Sequence, residues 1–140
     1  MVKKIDHIAV MVPDMEEAKR MFKDGLGMEL CHEESSEEWN SRYAFFQCGE
    51  VMIELIQPIG PGSNQDYLEQ CGSGLHHICY EVDDIQEGMH RAERYFMLRD
   101  KEPQQGAFGS QICFLDPASI LNIETELVAK SKSSGGGRND

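Results

Sequence analysis

Hydrophobic and polar positions along this chain follow a pattern that is written twice. Residues 5–18 read IDHIAVMVPDMEEA and residues 75–88 read LHHICYEVDDIQEG, an offset of 70. At that offset His7 meets His77, Ile8 meets Ile78, Val12 meets Val82, Asp14 meets Asp84 and Glu17 meets Glu87. Each copy opens with a run rich in β-branched residues, 5–12 and 75–82, which predicts a strand. Each continues with Asp and, three residues on, Glu, the signature of a capped helix start. Met15, Ala18 and Phe22 then recur at helical spacing in the first copy, as do Ile85, Met89, Ala92 and Phe96 in the second. Gly25 and Gly27 are placed to stop the first helix.

Strand patterns follow at 28–33, 42–47 and 51–57, and again at 97–101, 111–115 and 123–128. The two modules, about 3–60 and 74–129, therefore both read β-α-β-β-β within one domain spanning 1–130. The Gly- and Ser-rich joint at 60–74 has room for one short helix around 66–71. One such module has a single apolar sheet face and one helix to cover it. The expected fold is α+β: two tandem βαβββ modules forming a curved mixed sheet around a shared cleft. Residues 131–140, SKSSGGGRND, read as a disordered tail.

Length and charge narrow the picture. A chain of 140 residues is one domain long. Thirteen Lys and Arg against 25 Asp and Glu leave a net charge of −12, which speaks against nucleic-acid and anionic-membrane partners. No run approaches the ~18 apolar residues of a membrane span, and the N-terminus has no signal-peptide core. The five cysteines, Cys31, Cys48, Cys71, Cys79 and Cys113, are odd in number and form no CxxC pair. They read as free, buried thiols in a cytoplasmic protein.

The candidate chemistry lies on the strands. His7 and His77 sit mid-strand at equivalent repeat positions, and a pseudo-twofold axis would bring both to one cleft floor. Glu54 stands inside the apolar run VMIELIQ, where an unpaired carboxylate is costly. The last strand, NIETELV, offers Glu124 and Glu126, two apart and so on one face. Together His7, Glu54, His77 and Glu126 give two imidazoles and two carboxylates at matched places. That donor set suits a divalent ion such as Co, Ni, Zn, Mn or Fe. His76 alternates away from His77 and reads as a helix-side or supporting residue. His32 and His90 read as exposed.

The segments KIDHIAVMVPDMEEA, VMIELIQP, GLHHICYEVDDI and IETELV resemble the vicinal oxygen chelate superfamily over residues 3–129. Within it, GLHHICYEVDDI, MIELIQPIGPGS and EPQQGAFG are most similar to methylmalonyl-CoA epimerases. The resemblance implies paired βαβββ modules, a metal in the cleft and a homodimer. It implies metal ligation by His7, Glu54, His77 and Glu126. The internal offset from Glu54 lands on Glu124, and the family spacing lands on Glu126. The implied activity is a metal-dependent epimerase taking the C2 proton of a methylmalonyl-CoA-like thioester, with Glu126, Glu54 or Glu124 as the base. Alternatives on the same fold are a glyoxalase I-like isomerase or lyase of a small α-oxo substrate and a metal-free small-molecule binder.

The chain departs from the epimerase pattern in FLDPA at 114–118, in Phe108, in Ile120, Leu121 and Asn122, and in the loop SSEEWNS. Arg42, Arg99 and Lys101 are the candidate cations for an acyl-CoA, Trp39 a candidate stacking residue. Tyr43 and Arg42 lie near where a second base would be needed.

Overall fold

The computed structural model describes residues 1–131, so all but the first residue of the expected tail lies outside that range. The elements are β1 (Val2–Met11), α1 (Met15–Arg20) continued by a π-helical turn at Met21–Gly25, β2 (Glu29–Ser36), β3 (Ser41–Cys48) and β4 (Val51–Pro58). After them come α2 (Ser63–Cys71), β5 (Gly74–Val82), α3 (Ile85–Ala92), β6 (Gln104–Gln105), β7 (Gln111–Phe114) and β8 (Thr125–Ala129). The strands make one eight-stranded mixed sheet in the order β2-β3-β4-β1-β5-β8-β7-β6, and both copies run β-α-β-β-β as the repeat predicts. Two compact units divide the chain: residues 6–78, and Met1–Ile5 with the chain from Cys79 onward. Among the described residues no helix is long and apolar enough to cross a membrane.

Both predicted helix starts form in the same way. Asp14 and Asp84 hold extended backbone, and their Oδ1 atoms accept the amide hydrogens of Glu17 and Glu87 at 3.2 and 3.1 Å. Each cap satisfies an amide that the first helical turn would otherwise leave bare. Helix α1 loosens into its π turn before Gly27 reverses the chain at φ 74°, a left-handed angle that a side chain resists.

In the unit 6–78 the sheet has two unlike faces, because successive strand residues point opposite ways. Under α1 lies an apolar core of Val12, Met15, Ala18, Ala44, Phe46 and Leu55. The other face carries Ala9, Met11 and Ile56, with Tyr43 and the α2 residues Tyr67 and Leu68 packed on them. Strand β2 changes face partway along. Leu30 pairs with Phe46 and packs on the helix-side core, yet His32 pairs with Phe45 across a bulge at Cys31. In the unit from Cys79 onward, Val82, Ile85, Met89, Cys113, Leu127 and Ala129 form the core under α3.

Three expectations need correction. Residues 97–101 do not form a strand: Leu98 makes one isolated bridge to Leu115, and the amides of Arg99 and Asp100 both turn to the Phe114 carbonyl. The second strand of the second copy is instead the two-residue β6, which has no apolar pattern to betray it. Cys31, Cys48 and Cys71 are exposed, and only Cys79 and Cys113 are buried; all five are free. His32 is not exposed but half-buried inside β2.

Candidate metal centre

Strands β1, β4 and β5 bring His7, Glu54 and His77 together. His7 Nε2 lies 3.2 Å from His77 Nε2 and 3.1 Å from Glu54 Oε1, and His77 Nε2 lies 3.7 Å from the same oxygen. All three residues are buried, at 7%, 6% and 6% exposure.

The far side of each ring is held. Asp6 Oδ2 accepts from His7 Nδ1 at 2.7 Å. Behind His77, its Nδ1 and that of His76 lie 2.7 Å apart, one donating to the other, and Tyr67 meets the His76 ring edge-on at 4.5 Å. The Asp6 bond fixes a proton on Nδ1 of His7, so the neutral ring offers a lone pair at Nε2. That lone pair faces a carboxylate oxygen and a second imidazole nitrogen. Electron-rich atoms converging at 3.1–3.7 Å repel unless a proton or a metal cation stands among them. Two imidazoles oriented from behind, with a carboxylate, fit a borderline divalent ion.

Glu126 belongs to the unit from Cys79 onward. It is buried in β8 at 5% exposure. Its neighbours Leu127 and Thr125 alternate with it, and Leu127 lies in the core under α3, so Glu126 points away from that helix. Its cross-strand partner is Phe114, just as the partner of Glu54 is Phe45. Glu124 lies before β8 begins and pairs with Arg99, whose guanidinium also sits 5.4 Å over the Phe114 ring. Arg42 is engaged on the helix side by Glu16 at 3.1 Å. Its neighbour Tyr43 takes the face of Ile56.

Two features escaped the sequence reading. Asp6 carried a signal, since it is the repeat mate of His76, but strict alternation sends adjacent residues to opposite faces. His32 and Glu34 share the face of Phe45 and Tyr43 because of the Cys31 bulge, which no local motif announces.

Comparison with known proteins agrees with this frame. Residues 6–114 match the family model described as the glyoxalase/bleomycin resistance protein/dioxygenase superfamily. The uncharacterized protein YqjC of Bacillus subtilis is 34% identical over 126 residues, covering 89% of this chain and 90% of its own. The ethylmalonyl-CoA/methylmalonyl-CoA epimerase of Cereibacter sphaeroides is 33% identical over 131 residues, 91% of this chain and 98% of its own. Among solved structures, a Streptomyces coelicolor methylmalonyl-CoA epimerase in complex with 2-nitronate-propionyl-CoA superposes with a TM-score of 0.88 at 26% identity, over 94% of this chain and 97% of that one.

Proposed function

The chain belongs to the glyoxalase/bleomycin resistance protein/dioxygenase superfamily, its epimerase relatives make it an isomerase, and we propose that it epimerises methylmalonyl-CoA or a close thioester with a divalent metal. The observation that carries the reading is the convergence of His7 Nε2, His77 Nε2 and Glu54 Oε1 on one point. Glu126 completes the set as fourth ligand. Its support is its burial, its Phe partner matching that of Glu54, and the place of β8 beside β5 in the strand order. Glu124 is the weaker candidate, because Arg99 already engages it.

A divalent ion held by these residues would polarise a thioester carbonyl and so acidify the neighbouring C–H. The remaining work falls to the chain itself. Asp6 and His76 keep the two imidazoles aimed, which spares them reorganisation when charge develops. Glu126, from the ligand set, takes the C2 proton. The apolar surround of Ala9, Met11 and Ile56 excludes water and strengthens each of these charges.

Deuterium exchange tests the proposal. The metal-loaded chain is mixed with methylmalonyl-CoA in D₂O beside a chelated control, and loss of the C2 proton is followed by NMR. Metal-dependent exchange with interconversion of the epimers is the expected result. A chain that holds its metal and leaves C2 untouched would sink the epimerase and move the assignment to another substrate of this superfamily.

A further inference from the structure

Within the unit from Cys79 onward, one guanidinium stands beside the residue proposed as base. Phe114 on β7 pairs directly with Glu126 on β8, so their side chains share a face. Cys113 and Leu127, which alternate with them, lie in the core under α3, and the shared face is therefore the one away from that helix. The segment 97–101, where a strand was expected, is tied to Phe114 from both sides. The Arg99 and Asp100 amides donate to the Phe114 carbonyl, and Asp100 Oδ2 accepts the Phe114 amide at 2.8 Å. The Arg99 side chain lies over the Phe114 ring, its Cζ 5.4 Å from the centroid. Glu124 accepts from Arg99 Nη2, and the same nitrogen donates to the Leu115 carbonyl at 3.5 Å. Among the described residues nothing accepts from Nη1 or Nε. The Arg99 side chain is 46% exposed, so a bound molecule can reach those donors.

We propose that Arg99 binds the free carboxylate of the substrate's acyl group and so selects thioesters that carry a second acid on C2; this rests on the epimerase reading above, with Glu126 as the base. Methylmalonyl-CoA has two unlike groups on C2, a methyl and a carboxylate. In a chain of net charge −12, that carboxylate needs a placed cation. Cross-strand neighbours stand about 5 Å apart at Cβ, so Arg99 above Phe114 and Glu126 beside it are separated by roughly one small acyl group. A C2 centre presented to Glu126 has its carboxylate within reach of the guanidinium. The nucleotide phosphates of the same thioester lie a whole pantetheine arm from C2, which leaves the acyl end to occupy this place.

The neighbours of Arg99 suit it to this task. A guanidinium stays charged at any working pH and donates several hydrogen bonds at once, so it holds Glu124 and a second carboxylate together. Glu124 restrains the long side chain before the substrate arrives, and less rotamer freedom is then lost on binding. The Phe114 ring covers one face of the guanidinium, keeps water from it and attracts the cation. A neutral 2-methyl thioester offers no charged acceptor to Nη1 and Nε. The site therefore holds it less firmly than the acid, whose bond to Arg99 is charge-assisted.

The test uses full-length, metal-loaded Arg99→Leu and Arg99→Lys chains with methylmalonyl-CoA, its methyl ester and methylmalonyl-pantetheine. Exchange at C2 in D₂O gives kcat and KM for each. The unsubstituted chain should prefer the free acid to the methyl ester. In Arg99→Leu that preference should fall roughly 10–100-fold, through KM for the acid, with kcat held within about threefold. The pantetheine thioester, which has no nucleotide phosphates, should lose as much as the CoA thioester. Arg99→Lys should restore part of the preference, because it keeps the charge without the planar head. Should Arg99→Leu fail to fold, Arg99→Gln carries the same measurement. A preference that is absent from the unsubstituted chain or survives Arg99→Leu overturns the proposal. So does a loss confined to the CoA thioester, which would make Arg99 a phosphate contact. A fall shared equally by acid and ester, or a loss of bound metal, would make it a support of the fold and overturn the proposal equally. If the unsubstituted chain exchanges neither acid nor ester, the epimerase reading has failed and takes this inference with it.

Discussion

His7 and His77 hold the same place in the two copies, yet different groups stand behind them. A buried carboxylate, Asp6, accepts from Nδ1 of His7, whereas a second imidazole, that of His76, faces Nδ1 of His77. A carboxylate partner raises the basicity of the imidazole it orients; an imidazole partner fixes the ring with less charge. The two copies therefore agree in geometry and differ in electronic push. With a metal held as proposed, the difference teaches that a duplicated scaffold can keep the places of two imidazoles while the residue one step back tunes each of them separately.

The largest test of this pairing removes the rings. His7→Ala and His77→Ala should each abolish metal retention by elemental analysis, and Glu54→Ala should do the same; a stoichiometric ion surviving all of them would refute the site. Next comes the residue behind. Asp6→Asn should weaken divalent affinity about 10–100-fold, the usual cost of losing such a partner, and His76→Gln should cost less. Asp6→His would make the first copy imitate the second, with an affinity between those of the parent and Asp6→Asn. Equal losses for Asp6→Asn and His76→Gln by calorimetric titration would erase the electronic contrast.

Smaller effects bear on the shared features. Asp14→Ala and Asp84→Ala each delete a cap of the same geometry, so each should lower stability by about 1 kcal/mol in urea unfolding. A marked inequality would show that the two helix starts are less alike than their bonds. The smallest effect concerns the thiols. Cys48 and Cys71, exposed in the first unit, should alkylate readily at neutral pH, while Cys113 in the second should resist. Burial, aided by Asp100, pushes the Cys113 thiol up to about 11. Because the folded pKa is raised, the stability held in the neutral thiol is complete below the ordinary 9.0 and lost as pH climbs through about 11. Mass spectrometry of alkylated peptides across that window reads the sign directly.

Much of this was legible in the sequence because the repeat exposed it. Asp14 and Asp84 announced the caps, and the mid-strand positions of His7 and His77 announced the pair that meets at 3.2 Å. The strand sought at 97–101 failed for a physical reason. Its apolar residues Met97 and Leu98 mimic a strand, but the Arg99 and Asp100 amides share the Phe114 carbonyl and the Met97 amide goes to the Ser119 hydroxyl, so no ladder forms. Gln104 and Gln105 pair without any hydrophobic alternation. The choice between Glu124 and Glu126 could not be read from parity, since residues two apart share a face in a continuous strand. In the structure β8 starts at Thr125 and Glu124, just before it, meets Arg99, which supports the proposal of Glu126. Asp6 and His32 were hidden by the same rule of alternation, which side-chain reach defeats in one case and backbone irregularity in the other.

The irregularity at Cys31 has a consequence for how such a site can diversify. In an uninterrupted strand Leu30, His32 and Glu34 would share one face, and His32 would follow Leu30 under α1. The extra residue shifts the phase, so a single strand serves the apolar core at one end and the reactive face at the other. Because β2 is an edge strand held only by β3, a gain or loss of one residue there re-phases every later position without touching the core. Were the bulge lost with Cys31 taken into the ladder, Cys31 and Glu33 would replace His32 and Glu34 opposite Phe45 and Tyr43 in a single event.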